Sequence, residues 1–346
     1  MHVLRLLKAN EKPFYEVLKK FGELWAPVKK DESYSYQKLN GEQPAVLSEM
    51  KDHVRTLLPI KKLLMSPEFN MLSFNKEKYI KTENHISKKV VLGVHPCEIH
   101  AVNIQTKFHT TDFEDPFYLE RRNSVIIIGA SCKPDPYCFC RETNTDTVDE
   151  GFDLFLTDLG DYYLVWVGSS KGEEIVRAAD GLFDENLSNQ EVQDFISWRK
   201  AHEAAFTNEI DMLGVTDLME LQYNNAPLWD YFGDKCLACG QCTMVCPTCT
   251  CFNVMDDLEV NKEVGHRRRY WDSCMFKDYS LVAGGHNFRK TRAERLKLWY
   301  THKLKAFIGH YGSPSCVGCG RCLVTCPVDI NVGTVVAKLK GEEVSK

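Results

Sequence analysis

The stretch Cys236-Leu237-Ala238-Cys239-Gly240-Gln241-Cys242-Thr243-Met244-Val245-Cys246-Pro247 decides how the rest of this chain is read. It is answered further on by Cys316-Val317-Gly318-Cys319-Gly320-Arg321-Cys322-Leu323-Val324-Thr325-Cys326-Pro327. Each run is C-x2-C-x2-C-x3-C-P, the spacing that holds [4Fe–4S] clusters in two-cluster ferredoxins, where the fourth cysteine of each run ligates the other run's cluster. One cluster is therefore expected on Cys236, Cys239, Cys242 and Cys326, and a second on Cys316, Cys319, Cys322 and Cys246. Three cysteines at two-residue intervals wrap a tight loop that points thiolates inward, while the fourth reaches across from the start of a helix. Small residues, Ala238 and Gly240 in one run and Gly318 and Gly320 in the other, suit the tight places. Zinc ribbons share the C-x2-C element. Zinc takes only four ligands, however, and gives no reason for the whole pattern to occur twice.

A chain of 346 residues is long enough for two domains with separate cores. The net charge of −5 implies no bulk attraction to nucleic acid or to an anionic membrane. No secretory leader is expected, since Met1-His2-Val3-Leu4-Arg5 is read as running straight into a polar helix. No apolar stretch approaches a membrane span. Fifteen cysteines in that setting argue for reduced thiols holding metal, not for disulfides. The expectation is a cytoplasmic protein without nucleic-acid partners and without direct membrane insertion.

Upstream of Cys236 the patterning is α/β. Phe14, Val17, Leu18 and Phe21 fall on one helical face, with Asn10 placed to cap the helix and Gly22 to end it. Val90–Val94 and Val125–Gly129 are continuous apolar runs, as buried parallel strands require. Asp153–Thr157 and Tyr162–Val167 read as a hairpin through Leu159-Gly160-Asp161. Ser188 and Glu191 form a capping box for a helix whose apolar face is read through Val192, Phe195, Ile196, Phe206 and Ile210. Between the two cysteine runs a long insertion carries a second capping box, Thr291 with Glu294. Leu296, Trp299, Tyr300, Leu304 and Phe307 form that helix's buried stripe. The tail from Lys338 to Lys346 is polar. The fold expected is an α/β domain over residues 1–225, followed over 226–346 by a mostly helical two-cluster ferredoxin-type domain with a long helical insertion between its motifs.

Seven cysteines remain. Cys97 follows the first buried strand and Cys132 the second, and Glu98–Lys107 can form the crossover helix of a βαβ unit. Both cysteines would then stand at the carboxyl edge of adjacent parallel strands, where open α/β sheets place their ligands. Cys138-Phe139-Cys140, in a loop punctuated by proline, can fold back to the same spot. Cys97, Cys132, Cys138 and Cys140 are thus candidate ligands of a third [4Fe–4S] cluster; the bland alternative is small, buried, inert thiols. Cys249, Cys251 and Cys274 are candidate ligands of a fourth, with His286 offered as its non-cysteine ligand, or they exchange ligands with the N-terminal group. The basic run His266-Arg267-Arg268-Arg269 reads as a phosphate site, as a solvated face, or as a source of N–H donors that raise a cluster's potential. Neither G-x-G-x-x-G nor a P-loop occurs, so flavin and NAD(P)H are expected on another subunit.

With these residues in view, the chain resembles the iron–sulfur (beta) subunits of cytosolic [NiFe] sulfhydrogenases, the A subunit of anaerobic sulfite reductase, and the flavin-oxidoreductase-linked iron–sulfur subunits that serve heterodisulfide reductase. The matching stretches are Ala26-Pro27, Val94–Cys97, Cys138-Phe139-Cys140, Cys246-Pro247-Thr248-Cys249-Thr250-Cys251, Trp271-Asp272-Ser273-Cys274, Ala283-Gly284-Gly285-His286-Asn287-Phe288-Arg289, and the second cysteine run. Where that family commonly carries Arg-Pro-Cys-Asp, this chain has His95-Pro96-Cys97-Glu98, which keeps the cysteine. The resemblance implies a non-catalytic subunit of a hetero-oligomer. It would pass single electrons between a FAD-containing NAD(P)H reductase-like subunit and a catalytic module of [NiFe] hydrogenase, sulfite reductase or heterodisulfide reductase type. Two other readings stay open: a sulfur-compound reductase in its own right at the cysteine-rich site, and a scaffold or redox sensor with structural clusters.

Overall fold

The computed structural model describes residues 2–40, 47, 55–82, 85–260 and 263–344. Its strands are β1 (His2–Leu7), β2 (Glu23–Lys30), β3 (Ser33–Lys38), β4 (Glu68–Asn75), β5 (Tyr79–Lys81), β6 (Lys89–Val94), β7 (Val125–Ala130), β8 (Leu154–Asp158), β9 (Tyr162–Val167), β10 (Phe183–Asp184), β11 (Phe252–Leu258) and β12 (Val264–Trp271). A mixed sheet runs β10-β1-β9-β8-β7-β6-β2-β3, and a smaller one runs β11-β12-β4-β5. In the large sheet β2, β6, β7 and β8 are mutually parallel, as the unbroken apolar runs of β6 and β7 require. Leu92 and Ile128 face one core with Phe14, Leu18 and Ile175, while Val91 and Ile127 face another with Ile99, Val102 and Tyr118. Helices therefore cover both faces. The expected hairpin is present as β8 and β9, paired antiparallel from Leu154↔Val167 to Asp158↔Tyr163. Both capping boxes are formed, at Ser188/Glu191 and at Thr291/Glu294.

Four local expectations are corrected. His2–Leu7 is a strand, because Leu4 and Leu6 alternate into the core while the chain pairs with β9 and β10. Asn10 stands at the start of the Glu11–Leu18 helix without a side-chain cap, since its amide Nδ2 donates instead to the Leu182 carbonyl at 3.2 Å. The helix after Ser188 ends at Ala204, so Phe206 and Ile210 lie beyond it, and Val192 and Ile196 face solvent. The crossover between β6 and β7 holds two helices, Pro96–Thr110 and Pro116–Asn123, and Cys97 is in the first turn of the first.

The insertion between the cysteine runs is not helical throughout. Its first half is the β11–β12 pair, and β12 docks on β4, so the smaller sheet joins residues from either side of position 225. The helix from Thr291 follows, its Leu296, Trp299 and Tyr300 buried against Leu228, Trp229 and Phe232 of the Ala226–Lys235 helix. Each such side chain contributes about 1.5–3 kcal/mol by leaving water. After Thr301 the helix widens into a π turn, His302–Ala306, that carries Lys303 and Leu304 inward. Among the described residues no helix is long and apolar enough to cross a membrane.

The basic run lies on β12 and is matched by carboxylates. Arg267 pairs with Asp256 at 2.8 Å, and Arg268 with Asp257 at 3.0 Å and Glu68 at 2.9 Å. Arg269 is buried and pairs with Asp115 at 2.5 Å. That geometry fits the solvated-face reading and leaves no open phosphate cradle on these side chains. Asp115 also accepts from the N–H groups of Phe117 and Tyr118 and lies 3.2 Å from His109 Nδ1. Burial pushes the Asp115 carboxyl up, but the bonds to His109 and Arg269 outweigh it and hold the group well below the usual carboxylate range.

Asp115 therefore clamps the smaller sheet to the helix that follows β6, and a group depressed in the fold stabilises it only while ionised. Its contribution is complete above the unfolded value of 3.8 and is lost as pH falls below it. Asp115→Asn should cost about 3 kcal/mol at neutral pH by leaving Arg269 buried and unpaired. In urea titrations across pH, the variant should also lose less stability than the parent below about pH 4; an unchanged acid limb would refute the clamp.

Candidate iron–sulfur sites

The first cysteine run follows the Ala226–Lys235 helix, whose C-terminal boundary is Cys236. Ala238 and Gly240 then take left-handed backbone, at φ 51° and 76°, which turns the loop tightly enough for three thiols to face one space. Cys236, Cys239, Cys242 and Cys326 line one cavity, roofed by Trp299 and Tyr300. Backbone N–H groups already point at sulfur there, Ala238 toward Cys236 at 3.3 Å and Ile330 toward Cys326 at 3.2 Å. Trp299 Nε1 is buried without a partner, an orphan donor in the wall of a cavity ringed by four thiols. A thiolate-bound inorganic cluster suits those donors, so the residues fit the group that the spacing implies.

Cys316, Cys319, Cys322 and Cys246 form a second group, close enough that Cys322 feels the charge of the other three. Burial pushes the Cys316 thiol up to about 12 and Cys319 to about 11. The same desolvation raises Cys322 and Cys242. Such thiols ionise only against positive charge or a metal. Lys303 is fully surrounded and donates to Thr248 Oγ1 at 2.8 Å. Burial pulls its amine down, but Cys246, Cys249 and Cys316 more than restore the charge.

The third group lies where the sheet topology expected it. Cys97 and Cys132 follow the paired parallel strands β6 and β7, and the 138–140 loop returns to them. Cys97, Cys132, Cys138 and Cys140 line one cavity together with Arg55, Cys319 and Arg321. Arg55 donates to Cys138 Sγ at 3.3 Å. A hydrogen bond from Cys140 lowers Cys138 to about 7, against burial and with help from the Arg55 charge. The third group abuts the second: Cys140 Sγ donates to the Gly318 carbonyl at 3.3 Å, and Phe139 N to the same oxygen at 2.9 Å. Arg321, inside the second run, is buried, pairs with Glu98 and bonds Thr56 at 3.0 and 3.1 Å. Glu98 also accepts from Tyr36 Oη at 2.5 Å.

Cys249 and Cys274 are buried beside the second group. Cys249 is hydrogen-bonded to Cys246, and Cys251 to Cys274 and Tyr279. The bond from Cys274 brings Cys251 down to about 6. His286 does not join them; it is exposed, its ring edge-on to Phe288 at 4.7 Å. Sequence reading missed the buried cations Lys61, Lys303 and Arg321 and the half-buried Arg55. Only Arg321, lying between two cysteines of a motif, carried a local signal.

Two comparisons bear on these sites. Residues 235–330 match the family of 4Fe-4S dicluster domains. Over 317 residues the chain is 37% identical to the sulfhydrogenase 2 subunit beta of Pyrococcus furiosus, an alignment covering 92% of each protein.

Gly318 tests how tightly the second and third groups are fitted. It sits at φ 59°, and a Cβ there would come within 2.6 Å of the Cys140 Cα and N. Gly312, at φ 79°, has open space around it. Gly312→Ala should cost about 1–2 kcal/mol for its backbone alone. Gly318→Ala should cost about 3–5 kcal/mol, because backbone atoms of the 138–140 loop must also move. Urea midpoints of the two variants compare them directly, and equal costs would mean that the two loops do not meet in this way.

Proposed function

This chain belongs to the family of iron–sulfur beta subunits that includes the Pyrococcus furiosus protein, and from that premise we propose that it is a non-catalytic relay. It passes single electrons between a flavin-containing NAD(P)H reductase subunit and a catalytic module of hydrogenase, sulfite reductase or heterodisulfide reductase type, in a cytoplasmic hetero-oligomer. We assign Cys236, Cys239, Cys242 and Cys326 to one [4Fe–4S] cluster, Cys316, Cys319, Cys322 and Cys246 to a second, and Cys97, Cys132, Cys138 and Cys140 to a third. Bound there, such clusters supply one-electron redox chemistry without proton or atom transfer. Cys249, Cys251 and Cys274 are assigned as further ligands or as sulfur-bearing surroundings of the second cluster.

The observation that carries this reading is the contiguity of the thiol groups. Cys242 of the first group lies within the field of Cys246, Cys319 of the second within that of Cys97, and the Cys140 thiol bonds the Gly318 carbonyl. A path thus runs from exposed Cys239 inward to Cys97 and Cys132. Along it the residues of the chain do the electrostatic work. Arg55, Lys303 and Arg321 offset negative charge, backbone N–H groups face sulfur, and Trp299 and Tyr300 keep water from the first group. A scaffold needs no such continuity.

Iron and acid-labile sulfide on anaerobically purified protein should come to about twelve of each per chain. The double variant Cys138→Ser/Cys140→Ser should lower both by about four. A parent value near eight would remove the third assignment, and one near sixteen would bring in Cys249, Cys251 and Cys274. In the assembled complex, Cys242→Ser or Cys322→Ser should abolish NAD(P)H-coupled turnover while dye-linked activity of the catalytic subunit persists. Full coupled activity in either variant would end the relay reading.

A further inference from the structure

A well-formed cavity lies beside the thiol groups. It measures about 370 Å³ and lies between β8–β9 and the Asn189–Ala204 helix, at the carboxyl end of the parallel strands. Phe155 and Trp166, cross-strand neighbours on the sheet, form one wall. Phe195 and Trp198 form the other, stacked on each other at 5.8 Å with an interplanar angle of 23°. Trp198 continues the stack onto His202 at 5.1 Å and 11°. Trp166 and Phe195 meet at 5.4 Å and 55° where the two walls join, so the cavity is an aromatic cleft closed at one end by polar groups.

Those polar groups are built in. His202 is 6% exposed, and its Nε2 has no hydrogen-bond partner although it stands in the cavity wall. Arg199 and Asp146 face each other there at 3.8 Å, and buried Thr157 adds a hydroxyl. Cys132 closes the cavity on the side of the third thiol group. Open parallel sheets bind ligands at this edge, and pockets of this size with a few convergent polar groups bind small molecules.

We propose that this cleft binds a planar, fused-ring heteroaromatic of isoalloxazine size, held against the aromatic lining at Trp198 and by hydrogen bonds between its polar edge and the His202 and Arg199 end. An aromatic lining selects a flat ring over an aliphatic chain. At the closed end the Arg199 guanidinium offers donors to ring carbonyls, and the unpartnered His202 Nε2 recovers a hydrogen bond from a ring group of matching polarity. The chain has no phosphate-cradling loop, so recognition is of the ring and not of a nucleotide tail. The cavity shares Cys132 with the third group, which puts such a ring at the inner end of the thiol path. The inference stands apart from the relay reading, because binding can be measured whatever the chain does with electrons.

Equilibrium dialysis of lumiflavin against the anaerobically purified full chain tests it. Saturable binding at one equivalent is expected, with FMN no tighter than lumiflavin. Trp198→Ala should weaken binding about tenfold with iron content unchanged. Should that variant fail to fold, Phe195→Leu on the same wall serves, because Phe195 is only half-buried. The proposal is overturned by absence of saturable lumiflavin binding up to about 1 mM, by binding that neither wall substitution weakens, or by FMN binding where lumiflavin does not.

Discussion

Thiols gathered in apolar surroundings resist ionisation, and most of what is distinctive in this structure answers that resistance. Burial drives Cys242, Cys316 and Cys322 upward. Against this the fold brings in cations that would be expensive anywhere else: Arg55, Lys61, Lys303 and Arg321. They come from separate parts of the chain, two from the segment before β4, one from the π turn and one from inside the second cysteine run. Each is tolerable in the interior only because thiols and carboxylates surround it. The charge balance of the sites and the packing of the chain's two halves are therefore one problem with one solution. Arg321 shows it most plainly, reaching from a cysteine motif to Glu98 on the helix that carries Cys97.

How much of this was legible in advance depended on whether the deciding partner lay nearby in sequence. The cysteine spacing, the two capping boxes, the β8–β9 hairpin and the parallel pair β6–β7 are local or nearly local signals, and each is where the reading expected it. The meeting of Cys97, Cys132, Cys138 and Cys140 followed from the rule that parallel strands end on the same edge. The misreadings share a cause. Val192 and Ile196 have helical spacing but no surface to cover them, and His2–Leu7 looks polar until its neighbours β9 and β10 are known. β11, with Asp256 and Asp257 in its middle, falls in the insertion read as helical, because its pairing rests on arginines that reach it from β12.

The substitution of Glu98 for the more usual aspartate of the resembled motif also finds a physical account. The longer side chain reaches both Tyr36 and Arg321, so that one buried carboxylate ties β3, the 96–110 helix and the second cysteine run together. The neighbouring His95 and Pro96 stand at the same edge, lining the cavity shared by Cys97 and Cys132. Glu98 thus fastens the two halves of the chain beside a retained thiol.

The smaller sheet sets a timetable for biosynthesis. β4 and β5 leave the ribosome early, but their partner β12 is about 190 residues downstream, which at ordinary translation rates is a delay of roughly 10–40 s. Through that interval Phe69, Leu72 and Phe74 belong to a hairpin with an open edge, the kind of surface that chaperones shield. Arg321 arrives later still, so until the chain is nearly finished the pocket around Cys97 has Arg55 but not the cation that pairs with Glu98. A product truncated before the second cysteine run would therefore bury Glu98 without its arginine and leave the pocket around Cys97 open on that side.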